Sequence, residues 1–275
     1  RDEANALREA HGLLLLAVSV TEYTGQLPLY LMPGSPRFDY DRTDLPMSVQ
    51  YVGLPEWQTD EVPPPPALLD TLDPTRPLVY VTEGTVHARR PHLLRAAVEG
   101  LGSLPINVIV TTGTHRTAQS LGLGDMPDNM RVEQWVPHRA LFPHVDLVVT
   151  TGGSGTVLGA LAEGVPLIIS PTDWDQPENA WRVADAGAGV RIAPRRCTAT
   201  RLRHAVERVL SRPEYRRNAA RLAESLHRQG GADRAAALLV GTAHAAIQPA
   251  ATQHLAHHPH TRKHIHDEKE CFGTG

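Results

Sequence analysis

Several short segments of this sequence combine residue types that could hold a charged, hydroxylated ligand. The first is DLVVTTGGSGTVLGALAEG, residues 146–164. A strand pattern ends at Thr150, small residues follow (Thr151, Gly152, Gly153, Ser154, Gly155), and a helical pattern begins near Thr156. Glycine lets a ligand approach the backbone closely, and the unbonded N–H groups of a helix start point outward, so the turn suits an anion such as phosphate. Thr151, Ser154 and Thr156 could add hydroxyl donors. The same residues also fit a plain strand–helix turn capped by Ser or Thr. The segment does not match G-x-G-x-x-G and does not follow the first strand of its domain, which disfavours an ordinary NAD site.

The second segment is SPTDWDQPENAWRVADAGAG, residues 170–189, where Asp175 and Gln176 follow the apolar strand pattern LIIS. A carboxylate accepts two hydrogen bonds and an amide both donates and accepts, so the adjacent pair suits the vicinal hydroxyls of a sugar ring. Asp175 could instead cap the helix that follows, and Asn179 and Arg182 read as residues that orient the loop or pack. In VEQWVPHRALF, Trp135 sits at a strand end before a short helix. Its indole could stack on a nucleobase while the backbone N–H and C=O of Val136 read the base edge; a core or inter-domain filler is the plainer use of such a Trp. Gly84 and Thr85 form a further strand-end turn. Base platform, phosphate turn and hydroxyl reader all fall at strand carboxyl ends, where open parallel sheets bind ligands. Together they point to a nucleotide-sugar.

The elements that must position these residues are strands alternating with helices. LVYVT (78–82), INVIVTT (106–112), a short strand near Val132, DLVVT (146–150) and LIIS (167–170) are apolar runs of buried-strand length, with helical spacing in 91–101, 156–163 and 178–186. This alternation predicts an α/β fold: one complete Rossmann-like, doubly wound parallel-sheet domain over residues 78–242, closed by helices near 200–211, 213–228 and 232–246. Residues 1–55 carry a short helix (1–12) and two strand-like pieces (27–32 and 48–52), too little to cover a sheet, and read as the C-terminal remnant of a further α/β domain. Residues 56–77, with the run Pro63–Pro66, suit a stiff inter-domain linker. The segment 243–275 is His-rich, lacks periodicity and reads as a disordered tail.

Composition narrows the classes further. Hydrophobic residues at 41% leave material for a core, and a net charge of -3 gives no general drive toward nucleic acid. Two cysteines, Cys197 and Cys271, cannot build a disulfide framework, and the longest apolar run, 13–18, is far too short for a membrane span. A cytoplasmic enzyme with no metal and no bound cofactor is expected. Residue 1 is Arg, which reads here as a cut edge of a longer chain.

Residues 78–240, and more loosely 1–55, resemble the macrolide-type, UDP-glycosyltransferase-like glycosyltransferases with the GT-B fold. The resemblance is carried by VYVTEGT ending at Thr85, then W-V-P (135–137), G-G-S-G-T (152–156), A-x-G-V-P (162–166), D-Q-x-x-N-A (175–180) and G-A-G-V (187–190), in that order. FDYDRTDLP (38–46) and VQYVG (49–53) resemble the end of the family's N-terminal domain. The resemblance implies transfer of a hexose from a UDP- or dTDP-sugar to a small acceptor of the natural-product kind, with inversion at the anomeric carbon. By position it implies that Trp135 stacks on the donor base, Val136 bonds it through its backbone, Gly153–Thr156 hold the diphosphate near Thr85, and Asp175 and Gln176 touch the sugar. Thr151 stands where many relatives carry His, and Gly159 where plant and macrolide branches carry Glu. No histidine here matches the family's general base, so no catalytic residue is assigned. The alternatives are a non-catalytic donor-binding subunit that borrows an acceptor domain from a partner, and a GT-B-fold sugar-nucleotide epimerase.

Overall fold

The computed structural model describes residues 1–56, 65–85 and 91–253. Its central feature is a six-stranded, wholly parallel sheet built from β3 (Leu78–Thr82), β4 (Asn107–Thr111), β5 (Met130–Glu133), β6 (Leu147–Thr150), β7 (Leu167–Ile169) and β8 (Gly189–Arg191). The spatial order is β5-β4-β3-β6-β7-β8, which is 3-2-1-4-5-6 counted from the sheet's own first strand. That is the doubly wound order, and it places a topological switch point between β3 and β6. Strand β8 is the one member that apolar-run reasoning did not isolate. Its sequence, GVR, is short and half-exposed, as an edge position permits.

Every residue of β3, β4 and β6 is buried, because helices cover both faces of the sheet. The two-residue period of a strand then divides the core in two. Val79 and Val81 join a cluster with Leu93, Leu94 and Leu101 of α3 (His92–Leu101) and Leu202 and Val206 of α7 (Ala199–Ser211). Leu78 and Tyr80 point the other way, into a cluster with Leu158 and Leu161 of α5 (Ser154–Ala162), Leu141 of α4 (His138–Leu141), Val183 of α6 (Gln176–Asp185), and Leu222 and Leu226 of α8 (Pro213–His227). Each fully buried Leu or Val contributes about 1.5–3 kcal/mol, so these two clusters hold the scaffold under the strand ends.

The N-terminal segment supplies α1 (Asp2–Ala10), α2 (Val20–Tyr23) and a separate two-stranded parallel sheet of β1 (Tyr30–Met32) and β2 (Val49–Tyr51). It docks on α6. Phe38 is buried within the second core cluster. Beside it, the Asp39 carboxylate accepts hydrogen bonds from Tyr51 Oη at 2.6 Å and from Arg182 Nε at 3.2 Å. Burial alone would raise the Asp39 carboxyl, but the bonds from Tyr51, the Tyr40 N–H and Arg182 outweigh it and hold it below the usual carboxylate range.

In the described part of the proline-rich connector Pro66 is extended (φ -60°, ψ 130°), after which Ala67–Thr71 form a 3₁₀ turn and Leu68, Leu69 and Leu72 lie against the second core cluster. Its leucines bury apolar surface that free polyproline would leave wet. At the other end, α9 runs over Gly231–Gln253, so residues 243–253 are helical where an irregular tail was expected. The run is alanine-rich, and alanine has the highest helix propensity. Residues 254–275, which hold six of the tail's histidines and Cys271, lie outside the described residues.

Candidate nucleotide-sugar site

At the switch point the carboxyl ends of β3 and β6 diverge and open a cleft of about 700 Å³. Thr85, Trp135, Thr151, Gly153, Ser154, Gly155, Thr156, Asp175 and Gln176 line it. Four separate strand–helix connections thus converge on one space. Of the remaining sequence candidates, Val136 is buried in the second core cluster, which anchors the chain beside Trp135, and Gly152 is buried within the turn. Trp135 itself is 65% exposed, so it is not a core filler.

The β6–α5 turn is shaped by Gly152, whose φ is +99°. A Cβ there would lie 2.5 Å from Ile169 Cγ2, so only glycine fits. Helix α5 begins at Ser154 with Gly153 as an N-cap that offers no side chain, which sets aside capping by Ser or Thr. The first intrahelical bond runs from the Val157 N–H to the Gly153 carbonyl, leaving the N–H groups of Gly155 and Thr156 without an intrahelical acceptor. Both residues line the cleft.

The Ser154 N–H is engaged by Asp175. Asp175 Oδ2 accepts from Ser154 N at 3.0 Å, from Ser154 Oγ at 2.5 Å and from Asn179 Nδ2 at 3.1 Å. Asp175 is the N-cap residue of α6 by position, yet it makes no side-chain capping bond to that helix. Its carboxylate reaches across to α5 instead. Asn179, buried one turn into α6, also donates to the Gly152 carbonyl at 2.9 Å and to Ser154 Oγ at 3.0 Å, clamping the two connections together. Its role is to orient the loop.

Two further sequence expectations change once hydrogen bonds are traced. Thr151 is buried, and its hydroxyl donates to the Glu83 carbonyl at 3.0 Å. A hydroxyl has one proton, so in this arrangement Thr151 presents only its oxygen to the cleft that it lines. Gln176 Oε1 accepts from the Thr172 N–H, the Thr172 hydroxyl and the Asp173 N–H at 2.8–3.3 Å. Only its Nε2 group is left to face a ligand. Gly159 is not an open position either: a Cβ there would stand 3.0 Å from Phe142 Cε2, so a longer side chain must displace that ring.

The cleft also contains residues that the sequence motifs did not single out. Trp174 is 83% exposed and holds a left-handed backbone, φ +59°, a strained conformation for a residue other than glycine. Tyr80 Oη lies 2.9 Å from Thr111 Oγ1 and 3.1 Å from His138 Nε2, and the His138 ring stacks on Phe142 at 4.5 Å. Burial pulls the His138 pKa down from 6.5 to about 4, so the imidazole is neutral at pH 7. Glu83 is buried beside Arg116, at 3.2 Å, and burial pushes its carboxyl up while Arg116 partly offsets the rise. The non-glycine positive φ was not readable from sequence. The Tyr80 position was readable in principle, as a polar-tipped residue inside an otherwise apolar strand.

A doubly wound sheet with a ligand cleft at its switch point, backed by a docked N-terminal segment, is the architecture of GT-B glycosyltransferases, and solved structures agree. The glycotransferase of kitacinnamycin superposes with a TM-score of 0.73 at 26% identity, covering 88% of this chain and 61% of that one. VinC, solved in complex with DTDP, superposes with a TM-score of 0.62 at 25% identity, covering 76% of this chain and 51% of that one. Among curated proteins, 4'-demethylrebeccamycin synthase of Lentzea aerocolonigenes is 41% identical over 226 residues, 81% of this chain and 52% of that protein. The chain belongs to the erythromycin biosynthesis protein CIII-like family, whose C-terminal domain model matches residues 95–238. It spans about half the length of the curated relatives it matches.

Among the described residues no group of three His, Cys, Asp or Glu is placed to hold a metal ion, and no helix is long and apolar enough to cross a membrane.

Proposed function

We propose that this chain is the donor-binding half of an inverting glycosyltransferase that takes a hexose from UDP or dTDP and passes it to a small hydroxylated acceptor of the natural-product type. The observation that supports this most directly is the single cleft in which an exposed Trp135, the α5 turn and the Asp175–Gln176 pair face a common space. In this reading Trp135 carries the base, with the backbone of Val136 at its edge. Gly153, Ser154, Gly155 and Thr156, beneath Thr85, hold the diphosphate. Asp175 and the Gln176 Nε2 group meet the sugar hydroxyls.

The chemistry follows from those placements. The acceptor oxygen bonds to the anomeric carbon from the face opposite the diphosphate as the bond from that carbon to the phosphate oxygen breaks. The electron pair leaves on the diphosphate, next to the N–H groups of Gly155 and Thr156, which stabilise the charge as it grows. The acceptor proton goes to a base outside the residues assigned here. Family relatives are about twice as long as the matched region, and the acceptor pocket is proposed to come from the rest of such a protein or from a separate subunit. The DTDP bound to VinC favours dTDP as one of the two nucleotides to be tested.

Isothermal titration with UDP, dTDP and their hexose conjugates tests this reading. Saturable binding that weakens when Trp135 is replaced by Ala is expected. A folded sample that binds none of the four ligands would sink it.

A further inference from the structure

The outer edge of the sheet carries a second concave surface that shares no residue with the cleft. It is a depression of about 400 Å³ between β8 and α7. Arg191 comes from β8, Arg196 from the turn that follows, and Arg201, His204 and Arg208 from one face of α7, at helical spacing. No carboxylate lines it. Glu207, adjacent in sequence, is held by Arg203 at 3.1 Å. Among the described residues Arg191, Arg196, Arg201 and Arg208 take part in no ion pair.

Arg191 is held in place by its neighbours. Its guanidinium stacks over Trp181 at 4.5 Å, and its Nε is shut off from solvent with no hydrogen-bond partner. A stacked arginine has less freedom to lose when it bonds an anion, and its planar fork matches phosphate oxygens two at a time. Four arginines around one depression repel one another, in a chain whose overall charge is negative. A single carboxylate would leave most of that charge unbalanced, whereas a diphosphate balances it in one ligand. The charge is gathered in a bounded hollow rather than laid out as a stripe, which suits a small anion better than a nucleic-acid backbone.

We propose that this depression is a second anion site, separate from the nucleotide-sugar cleft, that binds a small di- or polyphosphate. The probe is inorganic pyrophosphate, titrated calorimetrically into the full chain carrying Ser154→Glu, whose added carboxylate closes the α5 turn to anions. Saturable binding is expected to remain. Adding Arg196→Glu and Arg201→Glu, both exposed, should weaken it by about tenfold or more, the loss expected from at least one charge-assisted hydrogen bond. Arg208→Gln, a milder exposed change in the same background, should weaken it severalfold, and thermal melts check that each variant is folded. No saturable binding in Ser154→Glu, or unchanged affinity in the arginine variants, would overturn the proposal. So would sedimentation with phosphatidylglycerol vesicles in the absence of any pyrophosphate binding, because the depression would then serve a lipid surface.

Discussion

The Asp175 carboxylate sits on the first turn of a helix to which it does not belong, 2.5 Å from Ser154 Oγ and 3.0 Å from Ser154 N. One carboxylate oxygen thereby takes a backbone donor that a phosphate oxygen could otherwise use. In the proposed complex the carboxylate must share or yield this place as the diphosphate arrives.

Asp175→Ala should therefore separate the two halves of the donor. The hexose conjugate loses its hydroxyl acceptor and is expected to bind about tenfold more weakly, as for one lost charged hydrogen bond. Free UDP or dTDP, relieved of a nearby negative charge, should bind no worse than to the unaltered chain. Calorimetric titration of both ligands decides. Equal losses for conjugate and free nucleotide would make Asp175 a purely structural residue.

Thr151→Val should leave donor affinity unchanged, since the hydroxyl proton is already committed to the Glu83 carbonyl. The cost falls on stability instead. Losing this buried bond takes about 1 kcal/mol, a drop of about 2–4 °C in Tm. A melting curve and a titration on the same sample read both effects. A large loss of affinity with no change in Tm would return the hydroxyl to the ligand.

Gly152→Ala is expected to cost about 2 kcal/mol or more, because the left-handed φ and the contact with Ile169 Cγ2 both oppose a Cβ. Urea unfolding measures it. A neutral result would mean that the β6–α5 turn can relax without loss.

His138 gives the fold a pH dependence of definite sign. Its folded value of about 4 lies below the ordinary 6.5, so between those pH values the unfolded chain binds more protons than the folded one. Its contribution to stability is fully present above about pH 6.5 and is lost as the pH falls toward 4. His138→Phe, which keeps an aromatic ring against Phe142, should flatten that part of the profile. Urea midpoints measured at intervals across the window test this, and an unchanged slope would assign the dependence to other groups.

Much of the fold was legible in the sequence because buried parallel strands are nearly uniform apolar runs. LVYVT appeared at residues 78–82 with no adjustment, and INVIVTT and DLVVT needed a residue or two trimmed. Strand β8 was not legible, since GVR at a sheet edge has neither the length nor the apolarity of its neighbours. The cleft was legible as a set of small and polar residues at strand ends. Which atoms of those residues are free was not, because that depends on partners far away in sequence. Thr151 meets Glu83 and Ser154 meets Asp175 only after β3, β6 and β7 are aligned. Trp174 was not legible as a cleft residue, as nothing in its residue type announces a left-handed backbone.

Phe38 carries a consequence for cooperativity. It is packed in the same apolar cluster as Leu158 and Leu226, while Asp39 is tied to Arg182. Packing and an ion pair thus join residues on the two sides of the stretch between residues 55 and 78. The segment around Phe38 has little interior of its own and draws its stability from α5, α6 and α8, so loosening those helices releases it as well. In the proposed two-part enzyme, motion between the acceptor side and this sheet would have to hinge outside this segment.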